Sequence, residues 1–457
     1  MRPCCRLVLL AICLPCLTAA DRVDDLMKVE LQRQNIPGAV VLITKDDRQV
    51  KKSAYGLADI ELGVKTTPDM VFETGSIGKT FTATVIMQLY EQGKINLGDP
   101  LSKYIEGTPD GWKQITITNL LSHTSGLPDY ALVPGLGLVE QWTRQDWMRK
   151  MTTLPLDFPT GKSFAYSNSN YLLLGLIAEK ITGKSIIELR GAGIFKPLGM
   201  DRTYTADEQI VPGRARGYWP SPHGLVNGPA ILGLYGDGGE MNTCEDLARF
   251  EKGFREAKLL KPETVAMMQT SRKLPSGRKT HYGFGWFDRT VNGHKVISHG
   301  GNTGGFGCSM TRVPEKHLTI ILMTNQANVS GDGLAQKIAA AYDPDLGPKP
   351  LVESADPDPA LSAKLKAALI GLAKGDAKQE MLDPEYVANL ATGRGQMMLS
   401  QFAPLRDIAS FSYCATETDD PDRIIRYRVK TKDHTYIAGF LVTTDKRIFA
   451  ASVRVEN

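Results

Sequence analysis

Three short clusters of residues in this chain carry groups that could together perform acyl transfer. In chain order they are Ser76-Ile77-Gly78-Lys79, Tyr166-Ser167-Asn168 and His299-Gly300-Gly301. A serine hydroxyl becomes a nucleophile when a neighbouring base takes its proton, and glycines let an acyl group lie close to the backbone. Together the clusters predict a serine enzyme that works through an acyl-enzyme.

Ser76 and Lys79 stand at the start of a helix predicted over 76–92, whose apolar residues recur at helical spacing. Their side chains share one face, so the lysine amine can take the serine proton if its pKa falls toward neutrality. A helix-capping serine followed by a solvated lysine would fit the same pattern. A second Ser-x-x-Lys, at Ser276 and Lys279, lies in a polar stretch without helical periodicity.

Two other motifs overlap Ser76. Residues 73–80 end like a phosphate-binding loop, in Gly-Lys-Thr, but Glu73 replaces the first glycine and would repel phosphate. Residues 74–78 differ by one residue from the Gly-x-Ser-x-Gly nucleophile elbow, and they do not follow a buried parallel strand. Both motifs are weaker explanations than the serine–lysine pair.

Tyr166 and Asn168 lie between a loop and a helix predicted over 168–181, where side chains can face a cleft. A tyrosine near cations can ionise below its usual pKa of about 10 and act as a base. Asn168 could bind Lys79 on one side and a substrate carbonyl on the other. A core tyrosine beside a helix-capping asparagine is the alternative.

His299, Gly300 and Gly301 follow a strand-like run, and their glycines would let a substrate backbone approach the strand edge. The backbone N–H of Asn302 could pair with that of Ser76 as an oxyanion hole. The alternative is a glycine-rich turn with a structural histidine.

These residues must be positioned by the strands and helices around them. Most of the predicted strands lie at the two ends of the region and most of the predicted helices lie between them, which predicts an α+β fold with one antiparallel sheet. The predicted strands are 39–44, 49–55, 283–288, 294–299, 305–312 and 318–324, and further predicted helices are 245–257 and 333–342.

The chain divides into four predicted segments: a signal peptide, 1–20; a hydrolase domain, 21–345; a proline-rich linker, 346–359; and a small α+β module, 360–457. The module has a helical pattern over 361–372 and strand-like runs at 424–429, 436–443 and 447–455. Its role as a lid, a substrate-binding wall or a dimer contact stays open, as does the oligomeric state.

The leader consists of Arg2 and Arg6, an apolar run too short to span a bilayer, and small residues up to Ala20. We expect cleavage after Ala20, a periplasmic or secreted protein, and no stable membrane anchor. Removing the leader lowers the formal charge from +4 to +2, because it takes two arginines and no acid. Nothing in this charge suggests nucleic acid.

Cys244, Cys308 and Cys414 remain after the leader, an odd and sparse set that argues against a disulfide framework. We expect buried thiols, although one pair could form. The histidines show no metal-binding spacing, so we expect neither a metal nor another cofactor.

The order and context of the three clusters resemble the serine β-lactamase-like, or penicillin-binding-protein-like, superfamily. It includes class C β-lactamases, D,D-carboxypeptidases, D-aminopeptidases and family VIII carboxylesterases. The resemblance covers about residues 22–345, and further stretches typical of it are 120–128, 236–239, 245–250 and 282–286.

The resemblance implies a transpeptidase-like antiparallel sheet flanked by helices, with a helical subdomain. It assigns acylation to Ser76, the base role to Lys79 and Tyr166, and an orienting role to Asn168. The segment from His299 through Gly300 and Gly301 to Asn302 would line the acyl site. His123 resembles a structural residue of such proteins, and Asp237 and Glu240 resemble loop residues beside the cleft.

His299 and Gly300 stand where β-lactamases have a lysine and a hydroxyl residue. Without a permanent cation and a hydroxyl, a β-lactam carboxylate would be poorly held. We therefore expect a small ester or a D-amino-acid-containing amide or peptide as substrate, and an activity that changes as His299 protonates below about pH 6.5. The alternatives are a true β-lactamase or a non-catalytic penicillin-sensing protein.

Overall fold

The computed structural model describes residues 19–456 except 138–139, 141, 206–209, 230–235 and 420. The predicted signal peptide, 1–20, therefore lies outside the described residues apart from its last two. The α-helices are α1 Ala19–Gln34, α2 Gly78–Glu91, α3 Ile117–Leu121, α4 Arg144–Met151, α5 Asn168–Thr182, α6 Ile186–Arg190, α7 Lys196–Leu198, α8 Cys244–Arg255, α9 Pro262–Met268, α10 Gly331–Tyr342, α11 Pro359–Ala373, α12 Pro384–Ala391 and α13 Gly393–Ser400. A 3-10 turn, Gly75–Ile77, precedes α2, and a π-helical turn, Gly191–Phe195, precedes α7.

The strands form two main sheets and two short pairs. They are β1 Gly38–Lys45, β2 Arg48–Asp59, β3 Val64–Lys65, β4 Phe72–Glu73, β5 Tyr218–Ser221, β6 Gly224–Asn227, β7 Met241–Asn242, β8 Phe287–Val291, β9 His294–Asn302, β10 Gly307–Val313, β11 Leu318–Thr324, β12 Ser410–Asp419, β13 Asp422–Lys430, β14 Thr435–Val442 and β15 Ile448–Val455.

The larger sheet is antiparallel and runs in the order β3-β2-β1-β11-β10-β9-β8. The first and last strands of this part of the chain are neighbours, with Val40 opposite Met323. This arrangement confirms the predicted sheet built from both ends of the hydrolase region, and with it the α+β fold class.

Along the central strands β1 and β11, successive side chains point to opposite faces of the sheet, and the two faces pack into two separate cores. Val41 and Ile320 pack with α1 and α10 on one face. Val40 and Ile321 belong to the core around α2, α5 and α8 on the other face. Because both faces are covered, β11 is buried along its whole length and reads as a nearly continuous apolar run.

Helix α2 lies in the middle of the larger core and is buried on almost every side. The predicted helix over 76–92 is therefore correct in extent, but its first turn is the 3-10 turn that carries Ser76. Glycine is favoured at position 75 because its φ is +50° and because a Cβ there would stand 2.8 Å from the Asn302 carbonyl oxygen.

The predicted strand over 283–288 is largely wrong, because β8 begins only at Phe287. The preceding residues form a turn in which the Gly283 N–H donates to the Trp286 carbonyl. Phe284 and Trp286 are apolar because they are buried in the core, so their alternation does not reflect strand pairing.

Residues 359–455 form a second antiparallel sheet, β12-β13-β14-β15, with α11 packed against it. Leu365, Leu369, Tyr427 and Phe440 lie in its own core. The sequence patterns indicated α11 and three of these strands; β12, α12 and α13 were not expected.

Candidate active site

Lys79 is fully buried and sits at the centre of a group of hydrogen-bond acceptors. Its Nζ lies 3.0 Å from the Ser76 Oγ, 2.8 Å from the Asn168 Oδ1 and 2.8 Å from the Asp237 carbonyl oxygen. A protonated amine donates to all three. A neutral amine donates to Asn168 and Asp237 and keeps a lone pair for the Ser76 proton.

The turn that carries Ser76 lies directly against β9. A Cβ placed on Gly301 would stand 1.9 Å from the Thr74 carbonyl oxygen and 3.0 Å from the Ser76 amide nitrogen. A Cβ on Gly75 would stand 2.8 Å from the Asn302 carbonyl oxygen. Only glycines permit this contact, which makes the backbones of Ser76 and Asn302 neighbours.

Gly78, two residues after Ser76, permits a comparable close contact. A Cβ there would stand 2.2 Å from the Glu240 Oε2. Glu240 is fully buried and accepts a hydrogen bond from the Arg190 guanidinium. Burial raises the pKa of Glu240 to about 7, and the Arg190 charge opposes that rise. Paired in this way, Glu240 supports the start of α2.

Tyr166 lies beside Lys79, whose Nζ is 5.1 Å from the centre of its ring. The ring stacks at 10° on Phe287, with 6.2 Å between ring centres. The His123 ring lies against the Tyr166 ring, with 4.3 Å between the ring centres. These aromatic neighbours fix the Tyr166 ring beside the Lys79 amine.

His123 positions the Tyr166 segment. Its Nδ1 accepts the Ser167 N–H at 3.1 Å, and its φ of +56° shows that the loop turns sharply there. Because Nδ1 is an acceptor, the ring does not act through that nitrogen on substrate. The geometry matches the structural role expected for His123.

Asn168 is oriented from the side opposite Lys79. Its backbone N–H donates to the Asp129 Oδ1 at 3.2 Å, and its Nδ2 lies 3.4 Å from the Asp129 Oδ2. This contact places the Asn168 Oδ1 toward Lys79. Asp129 and the Asp237 carbonyl are positioning groups that the sequence did not single out for this purpose.

His299 is buried, and both of its ring nitrogens have protein partners. Nδ1 lies 2.7 Å from the Gly300 carbonyl oxygen, which can only accept, so Nδ1 carries the hydrogen. Nε2 then accepts from the Tyr282 hydroxyl at 3.1 Å. Burial, aided by the Lys79 charge, lowers the pKa of His299 to about 3. The expectation that it protonates near pH 6.5 is therefore wrong.

Arg289 and Asp332 are charged neighbours of the 299–300 segment that the sequence patterns did not single out. The Arg289 Nη1 lies 3.5 Å from the Asp332 Oδ2, and its guanidinium lies 3.8 Å from the centre of the Phe287 ring. A Cβ on Gly300 would stand 3.0 Å from the Asp332 Oδ1. Correct bounds for β8 would have placed Arg289 on the same face as Gly300, because strand side chains alternate.

The second Ser-x-x-Lys does not form a comparable site. Ser276 lies in a turn, and its hydroxyl hydrogen-bonds to Glu385. The three thiols Cys244, Cys308 and Cys414 are free and buried. Within the described ranges, the acidic, histidine and cysteine side chains form no group that could hold a metal ion. No helix in the described part of the chain is long and apolar enough to cross a membrane.

Comparison with known proteins identifies the relatives of this chain. Penicillin-binding protein 4* of Bacillus subtilis strain 168 is 27% identical over 302 residues, which cover 60% of this chain and 64% of that protein. The D-aminopeptidase of Gluconobacter oxydans strain 621H is 27% identical over 323 residues, 68% of this chain and 60% of that enzyme. The chain thus spans less than two thirds of the length of these curated relatives.

A solved structure extends the fold likeness to the C-terminal part. The octameric penicillin-binding protein homologue from Pyrococcus abyssi has a TM-score of 0.65 and 23% identity, covering 95% of this chain and 98% of that chain. The family model described as Beta-lactamase matches residues 20–343, well over half of the chain. The match confirms the resemblance drawn from the three clusters: the chain belongs to the beta-lactamase family.

Proposed function

We propose that the protein is an exported serine hydrolase that acylates Ser76 with a small ester or a D-amino-acid-containing amide or peptide. The observation that carries this proposal is the position of the Lys79 Nζ between the Ser76 Oγ and the Asn168 Oδ1, at 3.0 and 2.8 Å. The similarity to a D-aminopeptidase supports the amide and peptide part of the substrate class.

In the proposed reaction, neutral Lys79 takes the Ser76 proton while the Oγ forms a bond to the substrate carbonyl carbon. The negative charge on the carbonyl oxygen is stabilised by the N–H groups of Ser76 and Asn302. The proton held by Lys79 then passes through Tyr166 to the leaving alcohol or amine as its bond to the carbonyl carbon breaks, which restores the neutral Lys79. A water next loses a proton to the same base while its oxygen bonds to the acyl carbon, and that proton passes to the Ser76 Oγ as the bond between Ser76 and the acyl group breaks.

The proposal is tested with a fluorophosphonate probe on the purified protein, followed by peptide mapping of the adduct. The label is expected on Ser76 and is expected to be absent from Ser76→Ala. Ser276→Ala is the matched control, because it removes the serine of the other Ser-x-x-Lys. A label on another residue, or active protein without any label, contradicts the mechanism.

A penicillin-sensing protein would use the same serine but would not release the acyl group. Steady-state release of p-nitrophenol from an aryl ester, continuing far beyond one equivalent per protein, favours the hydrolase. A burst that stops at one equivalent favours the sensor.

Export is tested separately by the N-terminal sequence of the protein recovered from the periplasm or medium. Cleavage after Ala20 is expected.

A further inference from the structure

Arg190, the last residue of α6, is fully buried beside the loop that holds Lys79. Its Nη2 donates to the Gly236 carbonyl oxygen at 3.1 Å, and its Nη1 donates to the Gly238 carbonyl oxygen at 3.3 Å. The carbonyl between these two, that of Asp237, accepts from the Lys79 Nζ at 2.8 Å. Arg190 therefore holds the peptide groups on both sides of the one that contacts the proposed base.

Thr82 ties the same loop to α2. It lies three residues after Lys79, so the two side chains share one face of the helix. The Thr82 hydroxyl donates to the Gly236 carbonyl oxygen at 2.5 Å and accepts from the Arg190 Nη2. Thr82 and Lys79 thus contact consecutive carbonyls of the loop, and Arg190 and Thr82 together fix the first of them.

The Asp237 carbonyl depends on these contacts for its direction. The Asp237 carboxylate has its own partner, the Tyr130 hydroxyl, which donates to Oδ2 at 2.8 Å. That bond fixes the side chain, whereas the direction of the carbonyl is set by the backbone dihedrals on either side of it. The hydrogen bonds at Gly236 and Gly238 restrain those dihedrals, because glycines, which lack a Cβ, provide little restraint of their own.

Arg190 is itself held by Glu240, and both side chains are 0% exposed. Among the residues that the structure describes, the Arg190 Nε and the Glu240 Oε2 have no hydrogen-bond partner. A buried ion pair with an unsatisfied atom on each side adds little net stability, because both charges lose their hydration. The pair therefore restrains the loop more than it stabilises the fold.

We propose that Arg190 is a positioning residue of the acyl-transfer site, which keeps the Asp237 carbonyl directed at the Lys79 Nζ. With this carbonyl in place, a neutral Lys79 donates to it and to Asn168, which leaves the lone pair for the Ser76 proton. Without the two hydrogen bonds from Arg190 the carbonyl can turn away, and the lone pair is no longer fixed toward the nucleophile. The inference rests on the proposed function, because it requires Lys79 to act as the base.

The test replaces both charges of the pair at once, in Arg190→Met with Glu240→Met, so that no buried charge is left unpaired. Fluorophosphonate labelling of Ser76, carried to completion, counts the active sites, and aryl-ester kinetics give kcat per labelled site. We expect kcat per site to fall about 10- to 100-fold. KM is expected to change little, because Lys79 serves both formation and hydrolysis of the acyl-enzyme and both steps slow together.

Arg312→Met with Glu251→Met is the matched control. This pair is also largely buried, with 10% and 5% of the side chains exposed and 3.5 Å between the Arg312 Nη1 and the Glu251 Oε1. It joins β10 to α8, and its further partners include Gln269 and Thr319. The kcat per labelled site of this control is expected to equal that of the wild type.

Two further variants show whether Arg190 acts through Lys79. Arg190→Lys keeps a charge opposite Glu240, but a single amine cannot hold both carbonyls as the planar guanidinium does, so kcat per site is expected to fall about 10-fold. This variant decides the question if the paired variant does not fold. In a Lys79→Ala background, the paired substitution is expected to lower kcat by less than about 2-fold further, because no amine is left to position.

The outcomes separate this inference from the proposed function. Without labelling of Ser76 and turnover of the aryl ester by the wild type, the proposed function itself fails. With both, a wild-type kcat per labelled site in the paired variant or in Arg190→Lys overturns the positioning role, even if fewer sites are labelled or the melting temperature falls. A full additional loss of kcat in the Lys79→Ala background overturns the route through Lys79.

Discussion

Gly301 lies so close to Ser76 that a Cβ on the glycine would stand 3.0 Å from the serine amide nitrogen. The same Cβ would collide with the Thr74 carbonyl oxygen at 1.9 Å, and backbone cannot swing away as a side chain can. The third cluster therefore contacts the turn that carries Ser76 through its backbone. Its glycines let β9 support the turn that holds Ser76.

Gly301→Ala is expected to lower kcat about 100-fold, because a shift of about 1 Å in the Ser76 turn misplaces the nucleophile. Gly300→Ala is the matched comparison: its Cβ would stand 3.0 Å from the end of the Asp332 side chain and at an ordinary contact distance of 3.4 Å from the Cys308 carbonyl oxygen, so a smaller loss of kcat is expected. Aryl-ester kinetics and circular dichroism on both variants check this. Equal losses of kcat in the two variants would show that the contact between Gly301 and the Ser76 turn does not control the rate.

Lys79 and Tyr166 are expected to act as one unit. Lys79→Ala and Tyr166→Phe should each lower kcat about 10²- to 10⁴-fold, because each interrupts the same proton path. The kcat of the double variant should be only slightly lower than that of the less active single variant. Losses that multiply fully would contradict a shared path, and thermal melts of all three exclude unfolding as the cause.

His299 is expected to make the fold less stable in acid. Its pKa is about 3 in the folded protein and about 6.5 in an unfolded chain, so the unfolded state binds more protons between these values. Stability should fall as pH falls from about 6.5 toward 3. Melting temperatures of wild type and His299→Gln over this range check the sign, and the variant should show the shallower dependence. A steeper dependence in the variant would contradict the neutral ring.

Much of the site could be predicted from the sequence because its parts are local. Ser76 and Lys79 are one helical turn apart, and Asn168 begins α5, so spacing alone placed these groups at the ends of elements. The position of Arg289 was not predicted, because the apolar alternation at Phe284 and Trp286 reflects core packing, whereas β8 begins only at Phe287. The contact of Gly393 with Leu132 joins positions far apart in the chain, which no local pattern reports.

Asp157 is expected to destabilise the fold at neutral pH. Its pKa is about 6 in the folded protein against about 3.9 in an unfolded chain, so the folded state binds more protons between these values. Stability should therefore fall as pH rises from about 4 to 6. Asp157→Asn should melt above the wild type at pH 8 and close to it at pH 4. The opposite order at pH 8 would show that a protein cation neutralises this carboxylate.

Arg289 is expected to hold anionic substrates only weakly, because its charge is already opposed by Asp332 at 3.5 Å. Neutral p-nitrophenyl esters should therefore have a much higher kcat/KM than a chromogenic cephalosporin, whose carboxylate would lack a fully available cation. Asp332→Asn leaves the Arg289 charge unopposed. It should therefore raise the ratio of kcat/KM for the cephalosporin to kcat/KM for the ester. Arg289→Gln should lower that ratio, and the double variant should resemble Arg289→Gln. A parallel assay of both substrates on all four proteins checks this order. A wild type that prefers the cephalosporin would favour a true β-lactamase and would contradict the ester and D-amino-acid substrate class.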